Sequence, residues 1–256
     1  MGKRINATVG LITVRTSSTR LPRKCFLPLG ERHVLQYVIS RCEQAGILPI
    51  VCTSSAPEDD EIESYCKEKG VSYFRGAVKN KLKRWYDCAT EYKINDFHTV
   101  DCDDPFFDPE LIFESINLLR ANNLDVVFPT EISSKGSASV GYSINTNSME
   151  SIGRLLDEDF NSEMVDQIFL ETPGLKMQTL VTDRNEIENV RLTLDYPEDY
   201  ILIRGLDLIT KTMPSRADLR ELLVNNPDLC LINRFRTVEW AINQQEIRKG
   251  QSSQLQ

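Results

Sequence analysis

Ten consecutive residues, Arg15-Thr-Ser-Ser-Thr-Arg-Leu-Pro-Arg-Lys24, gather four cations, a run of hydroxyl side chains and a string of backbone N–H groups. Guanidinium forks and an ammonium point charge at this density suit the oxygens of a nucleoside triphosphate. The loop contains neither G-K-[ST] nor G-x-G-x-x-G, so it is not one of the common glycine-rich phosphate cradles. A solvated loop with chance charge is the competing reading. A second basic run, Arg75, Lys79, Lys81, Lys83 and Arg84, divides evenly between a bound anion and an ordinary wet helix face.

The complementary acidic segment is Asp101-Cys-Asp-Asp-Pro-Phe-Phe-Asp108. Carboxylates crowded at one place repel one another unless a proton or cation sits among them. All-oxygen ligands beside a phosphate partner favour Mg²⁺ over a transition metal. Asp108 precedes Pro109-Glu110 and reads as a helix N-cap, which leaves Asp103 or Asp101 for chemistry. Asp195, in Leu194-Asp-Tyr-Pro-Glu-Asp199, fits either role.

These groups need a scaffold, and the apolar pattern provides one. Short β-branched runs at 7–14, 48–53, 71–74, 97–100, 125–129 and 190–194 predict strands, and amphipathic stretches at 33–42, 57–69, 82–92, 109–121, 197–208, 215–224 and 238–248 predict helices. Strands alternating with helices imply right-handed crossovers: an α/β three-layer sandwich with a mainly parallel, Rossmann-like sheet and helices on both faces. Ligands of such sheets bind at the carboxyl ends of the strands. Arg15, Thr53, Asp101 and Asp195 all stand at predicted strand ends. Between 130 and 190 the rhythm changes to a small-residue loop over 133–141, strands near 140–145 and 176–182, and a helix at 163–171. That segment reads as an inserted arm on a single domain spanning 1–256, and 249–256 as a frayed tail.

With 30 basic and 38 acidic side chains the net charge is −8, which argues against nucleic acid or an anionic membrane as partner. No apolar run approaches a membrane span, and the N-terminus lacks a signal-peptide pattern. Seven scattered cysteines without a C-x-x-C pair, and two histidines, disfavour zinc and predict buried free thiols in the cytoplasm.

Four segments, in order, carry a resemblance. Arg15-x-x-Ser18-x-Arg20-Leu-Pro-x-Lys24, Phe74-Arg75-Gly76, Asp103-Asp-Pro105 and Arg191-Leu-Thr-Leu-Asp195-Tyr-Pro-Glu-Asp199, with Asn225-Asn-Pro-Asp228 near the end, resemble the cytidylyltransferases that activate acidic sugars. That family includes the acylneuraminate and 3-deoxy-manno-octulosonate cytidylyltransferases, and the likeness is greatest to the spore-coat-polysaccharide branch. It implies a fold of the nucleotide-diphospho-sugar transferase type, CTP as co-substrate, a small anionic acceptor, Mg²⁺ and a homodimer built through the arm. It implies that Arg15, Arg20 and Lys24 hold the triphosphate, with Val14, Ser17 and Ser18 also binding the nucleotide. Asp103 and Asp195 match the metal ligands, while Thr53, Arg75 and Asp101 match positions lining the nucleotide pocket. The chain departs from the family pattern at Ser17 and Cys102, where glycines are usual, and near Glu163-Met164, where a histidine is. A GTP- or UTP-dependent transferase of the same fold, a glycosyltransferase using Asp101-Cys-Asp103 as a D-x-D element, and a non-catalytic nucleotide-binding paralogue are the other readings these residues leave open.

Overall fold

A computed structural model describes residues 7–182, 187–211 and 213–255. Strand β1 (Val9–Thr13) leads through the Arg15–Lys24 loop and a short hairpin, β2 (Pro28–Leu29) and β3 (Arg32–His33), to helix α1 (Val34–Gln44). There follow β4 (Leu48–Ser54), α2 (Asp60–Lys69), β5 (Tyr73–Gly76), α3 (Lys81–Glu91), β6 (Asp96–Asp101), α4 (Pro109–Ala121) and β7 (Val126–Phe128). The remainder comprises β8 (Ser143–Asn145), α5 (Val165–Glu171), β9 (Met177–Thr179), α6 (Pro197–Thr210), α7 (Arg216–Asn225) and α8 (Arg236–Leu255).

The main sheet has the order β5-β4-β1-β6-β8-β7-β9, parallel except that β8 runs antiparallel to both neighbours. Alternate side chains of each strand enter two different cores. Ile12, Val51, Val100 and Val127 pack with α1, α2, α4, α6 and α7. Val9, Leu11, Ile50, Cys52, Phe97 and Val126 pack with α3 and α5. Two apolar faces covered by two helix layers give the three-layer sandwich that the alternation predicts.

Helix starts follow side-chain chemistry. His33 accepts a hydrogen bond from Gln36 N at the start of α1, Asn80 from Lys83 N at α3, and Asp108 from Glu110 N at α4, so Asp108 is a cap. All seven cysteines are free thiols, six of them buried. Among the described residues, no helix is long and apolar enough to cross a membrane.

Three local expectations are corrected. Residues 190–194 form no strand: Val190, Leu192 and Leu194 are buried, but Leu192 N donates to Gly136 O (2.9 Å) and Leu194 N to Asp103 O (2.7 Å), so the segment is a strap lying on loops. The 133–141 segment, expected as a loop, begins with a helical turn over Ser133–Ser137. Its small side chains let it bury, and Ser133 Oγ donates to Val140 O (2.8 Å) while accepting from Ser139 N (3.0 Å) and Val140 N (3.0 Å). The backbone is helical through Leu255 where a frayed end was expected. The segment between 130 and 190 also contributes β8 and β9 to the main sheet.

Gly141 enters β8 against the middle of β6. A Cβ there would stand 2.2 Å from Thr99 O and 2.6 Å from Thr99 Oγ1, a backbone contact that no rotamer relieves. Gly141→Ala is expected to cost roughly 1–3 kcal/mol, measured as a lower denaturation midpoint; an unchanged midpoint would contradict this contact.

Candidate active site

A cleft of about 1050 Å³ opens at the carboxyl ends of β1 and β6. Of the residues singled out by sequence, Val14, Arg15, Ser17, Ser18, Arg20, Lys24, Asp101, Asp103 and Asp195 line it. The loop after β1 is pinned from below. Asp59, fully buried ahead of α2, accepts from Thr16 N (2.8 Å) and Thr16 Oγ1 (2.9 Å), and also from Ser54 Oγ. Arg23 takes a left-handed backbone (φ 54°) and reaches outward to Glu61 at 2.7 Å, which leaves Arg15, Arg20 and Lys24 on the cleft side.

Lys24 is the centre of the arrangement. Its Nζ donates to Asp103 Oδ2 at 2.5 Å and to Asp195 Oδ1 at 3.1 Å, so one ammonium joins the two candidate metal carboxylates. Arg20 Nη2 donates to the same Asp195 oxygen at 2.9 Å, and Arg191 Nη2 takes the other at 2.9 Å. Behind them, Asp199 accepts from Arg191 Nε (3.0 Å), from the backbone N of Asp195 and Tyr196 (2.9 Å each) and from Asn233 Nδ2 (2.9 Å), which fixes the turn carrying Asp195. The bond from Leu194 N to Asp103 O then sets the two aspartates side by side. Asp195 thus reaches the site from a strap and not from the end of a strand.

Charge explains the titration of these groups. Burial opposes ionisation of Asp195, but Lys24, Arg20 and Arg191 outweigh it and hold the carboxyl below its ordinary range. Burial likewise opposes the Lys24 charge, and Asp103 and Asp195 more than reverse that, raising its pKa. Asp101 is pushed up to about 6 by burial and then by Asp103, with Lys81 pulling the other way. Asp104 is driven well above its usual value by burial, Asp103 and Asp101.

Among the described residues, no three His, Cys, Asp or Glu side chains converge as a ready metal cage. Mg²⁺ does not need one, since one or two carboxylates together with substrate phosphates and water satisfy it. Asp103 and Asp195 supply two carboxylates already facing a common cation, the Lys24 ammonium, and so fit that donor set.

The structure does not bring Thr53 and Arg75 to the cleft. Thr53 is fully buried in β4. Arg75 turns back to α2, paired with Glu63 (2.6 Å) and Asp60 (2.7 Å), and donates to the carbonyls of Ser54 (3.0 Å) and Ala56 (2.8 Å). The second basic run divides. Lys79 pairs with Asp159 and Lys83 with Asp87 at the surface, whereas Lys81 and Arg84 line the cleft. Arg84 is buried there, with Nη1 donating to Ala77 O (2.7 Å) and Nε without a hydrogen-bond partner.

Several residues in or beside the cleft have no role that the sequence assigned. Glu163 stands 3.8 Å from Arg15 and is held below the usual carboxylate range, first by Lys81, against burial, and further by Arg15 and Lys24. Tyr196 lies under the guanidinium of Arg20 (5.0 Å to the ring centre) and accepts from it at 3.3 Å. Trp240, Gln244 and Arg248 of α8 form a wall, with Arg248 paired to Asp166 of α5 at 2.6 Å.

Comparison with known proteins gives the same picture from outside. A family model described as Cytidylyltransferase matches residues 9–178. The chain is 29% identical over 235 residues to the spore coat polysaccharide biosynthesis protein SpsF of Bacillus subtilis (strain 168), covering 88% of this chain and 97% of that one. It is 30% identical over 125 residues to a 3-deoxy-manno-octulosonate cytidylyltransferase of Rickettsia massiliae (strain Mtu5), covering 46% of this chain and 50% of that one. A solved cytidylyltransferase from Leptospira borgpetersenii serovar Hardjo-bovis (strain JB197) shares the fold, with a TM-score of 0.71 at 24% identity over 88% of this chain and 97% of that one. The matched span contains the Arg15–Lys24 loop and Asp103, and the chain belongs to the cytidylyltransferase family, whose members are CTP-dependent nucleotidyltransferases.

Proposed function

We propose that the chain transfers CMP from CTP to an acidic sugar, or to a related phosphate or phosphonate acceptor, with Mg²⁺ held by Asp103 and Asp195. The observation that carries this reading is the pair of aspartates facing one cation next to Arg20 and Arg15 in the cleft. The names of the relatives support the acceptor class: one acts on 3-deoxy-manno-octulosonate, an acidic sugar, and another serves polysaccharide biosynthesis.

In the reaction, an acceptor oxygen forms a bond to the α-phosphorus of CTP as the bond to the α–β bridging oxygen breaks and pyrophosphate leaves. Arg15, Arg20 and Lys24 hold the triphosphate and balance the charge growing on the leaving group. Val14, Ser17 and Ser18 present backbone and hydroxyl groups to the phosphates, while Asp101 lines the nucleotide side. The Asp199 network keeps Asp195 in place so that no reorganisation is needed during transfer. Bound Mg²⁺ supplies neutralisation of the phosphates and Lewis acidity. Arg248, brought in by α8, supplies a cation for an anionic acceptor on the opposite wall.

The test is pyrophosphate release with Mg²⁺, each of the four nucleoside triphosphates and a panel of acidic sugars, phosphates and phosphonates. Release is expected with CTP and an anionic acceptor; release with GTP or UTP instead, or with neutral sugars alone, overturns the proposal. The reading places the enzyme in the cytoplasm as a homodimer through the 130–190 segment, whose β9 is an edge strand with Gln178 and Thr179 exposed. Light scattering is expected to give about twice the chain mass of 29.3 kDa, and a monomer would contradict the dimer.

A further inference from the structure

Both carboxylate oxygens of Asp195 already accept from cations. Its Oδ2 accepts from Arg191, and its Oδ1 is shared between Arg20 and Lys24. Asp103 Oδ2 is taken by Lys24 as well. Three cations therefore surround two carboxylates, and the side chains of Lys24 and Asp195 are only 16% and 8% exposed. A free divalent ion approaching this pair meets carboxylates already paired with cations, and must displace a desolvated ammonium to stand between them. A metal arriving on a triphosphate meets the opposite situation. The phosphates offer new partners to Lys24 and Arg20, which would free Asp103 and Asp195 to hold the metal. Lys24 is suited to this exchange because its backbone is held in the turn Lys24–Phe26 beside buried Cys25, while a flexible four-carbon stem carries the charge.

We propose that the Lys24 ammonium is a built-in stand-in for the metal, holding Asp103 and Asp195 together without nucleotide and excluding a free divalent ion until one comes with CTP. The proposal rests on the CTP–metal reading above. It makes Lys24 a positioning residue that enforces ordered entry, in addition to its place among the triphosphate ligands.

The experiment is Mn²⁺ titration of the nucleotide-free protein, followed by electron paramagnetic resonance and by calorimetry. The wild type is expected to bind Mn²⁺ weakly, and Lys24→Met, which keeps the stem and removes the charge, at least tenfold more tightly. Lys24→Gln serves the same purpose should the Met variant fail to fold. Adding Asp103→Asn to Lys24→Met is expected to abolish the gain. Arg20→Met removes a cation beside the pair but not between it and is expected to change Mn²⁺ affinity less than threefold. Equal affinity in the wild type and both Lys24 variants overturns the proposal, as does an equal gain from Arg20→Met, which would reduce the effect to net charge. If the wild type binds Mn²⁺ with CTP and the Lys24 variants gain nothing without it, only the stand-in role falls. If Asp103→Asn leaves Mn²⁺ binding with CTP unchanged, the metal assignment falls with it.

Discussion

Asp103→Asn is expected to lower kcat by at least about a thousandfold while leaving the fold intact. A thousandfold loss is about 4 kcal/mol of transition-state stabilisation, a size typical of removing one charged partner from a transferring phosphoryl group. The fold is expected to persist because Asp103 is tied into it by its backbone: the carbonyl accepts from Leu194 N, a bond that Asn keeps. The lost charge also relieves Asp101 and Asp104, whose pKa values Asp103 helps to raise, so the substitution removes repulsion as well as attraction. The measurement is pyrophosphate release alongside a circular dichroism melt. A melting temperature within a few degrees of wild type and a collapsed kcat support the assignment; undiminished turnover overturns it. Asp195→Asn makes a less clean comparison, because it leaves Arg191, Arg20 and Lys24 facing a neutral amide in a buried setting.

What the sequence revealed and what it hid can be separated residue by residue. The Arg15–Lys24 loop stood out because charge was concentrated in a few consecutive positions, a one-dimensional signal. The aspartates of 101–104 stood out for the same reason. Arg75 and Lys81 looked alike in the sequence, each in a basic run, and only the third dimension separates them. Arg75 on β5 faces the acids of α2, whereas Lys81 opens α3 at the edge of the cleft. Residues 190–194 alternate apolar and polar as a strand does, and the alternation is real, since Leu192 and Leu194 are buried. Alternation reports an extended backbone with one buried side; it does not say whether the partner is a strand or a loop. The hold of Asp59 on the Arg15–Lys24 loop and the docking of α8 on the cleft left no trace, although the helix itself is predicted at 238–248. A buried carboxylate that caps a loop 43 residues away, and a helix that lends Trp240 and Arg248 to a cleft centred on the Arg15–Lys24 loop, are products of tertiary packing alone.

His98 makes the second large prediction, and it concerns stability. It is fully buried in β6, and burial alone pushes its pKa down to about 3 from a starting value of 6.5. Geometry fixes the tautomer. Gly141 N donates to Nε2 at 3.1 Å, so that nitrogen is bare, and the proton resides on Nδ1, 2.9 Å from Ser143 Oγ. Ser143 in turn meets Ser115 Oγ at 2.7 Å, so the chain of contacts ties β6, β8 and α4 together beside the cleft. Protonating Nε2 would turn an acceptor into a second donor facing the Gly141 N–H. The folded protein thus keeps His98 neutral down to about pH 3, while the unfolded chain takes up a proton near pH 6.5. Between those values protons favour the unfolded chain, so the His98 contribution is complete above pH 6.5 and declines as the pH falls. At about 1.4 kcal/mol per unit, the loss from this residue is roughly 3 kcal/mol by pH 4. Asp101 works in the opposite sense, because its raised pKa makes the folded state the better proton acceptor in the same range. The informative quantity is therefore the difference between wild type and His98→Gln in denaturant midpoints at pH 7 and pH 4. The variant is expected to be less stable at pH 7 but to lose roughly 3 kcal/mol less than wild type on acidification. Parallel losses in the two proteins would show that His98 does not stay neutral in the fold, and would reverse the tautomer and the Gly141 hydrogen bond deduced from it.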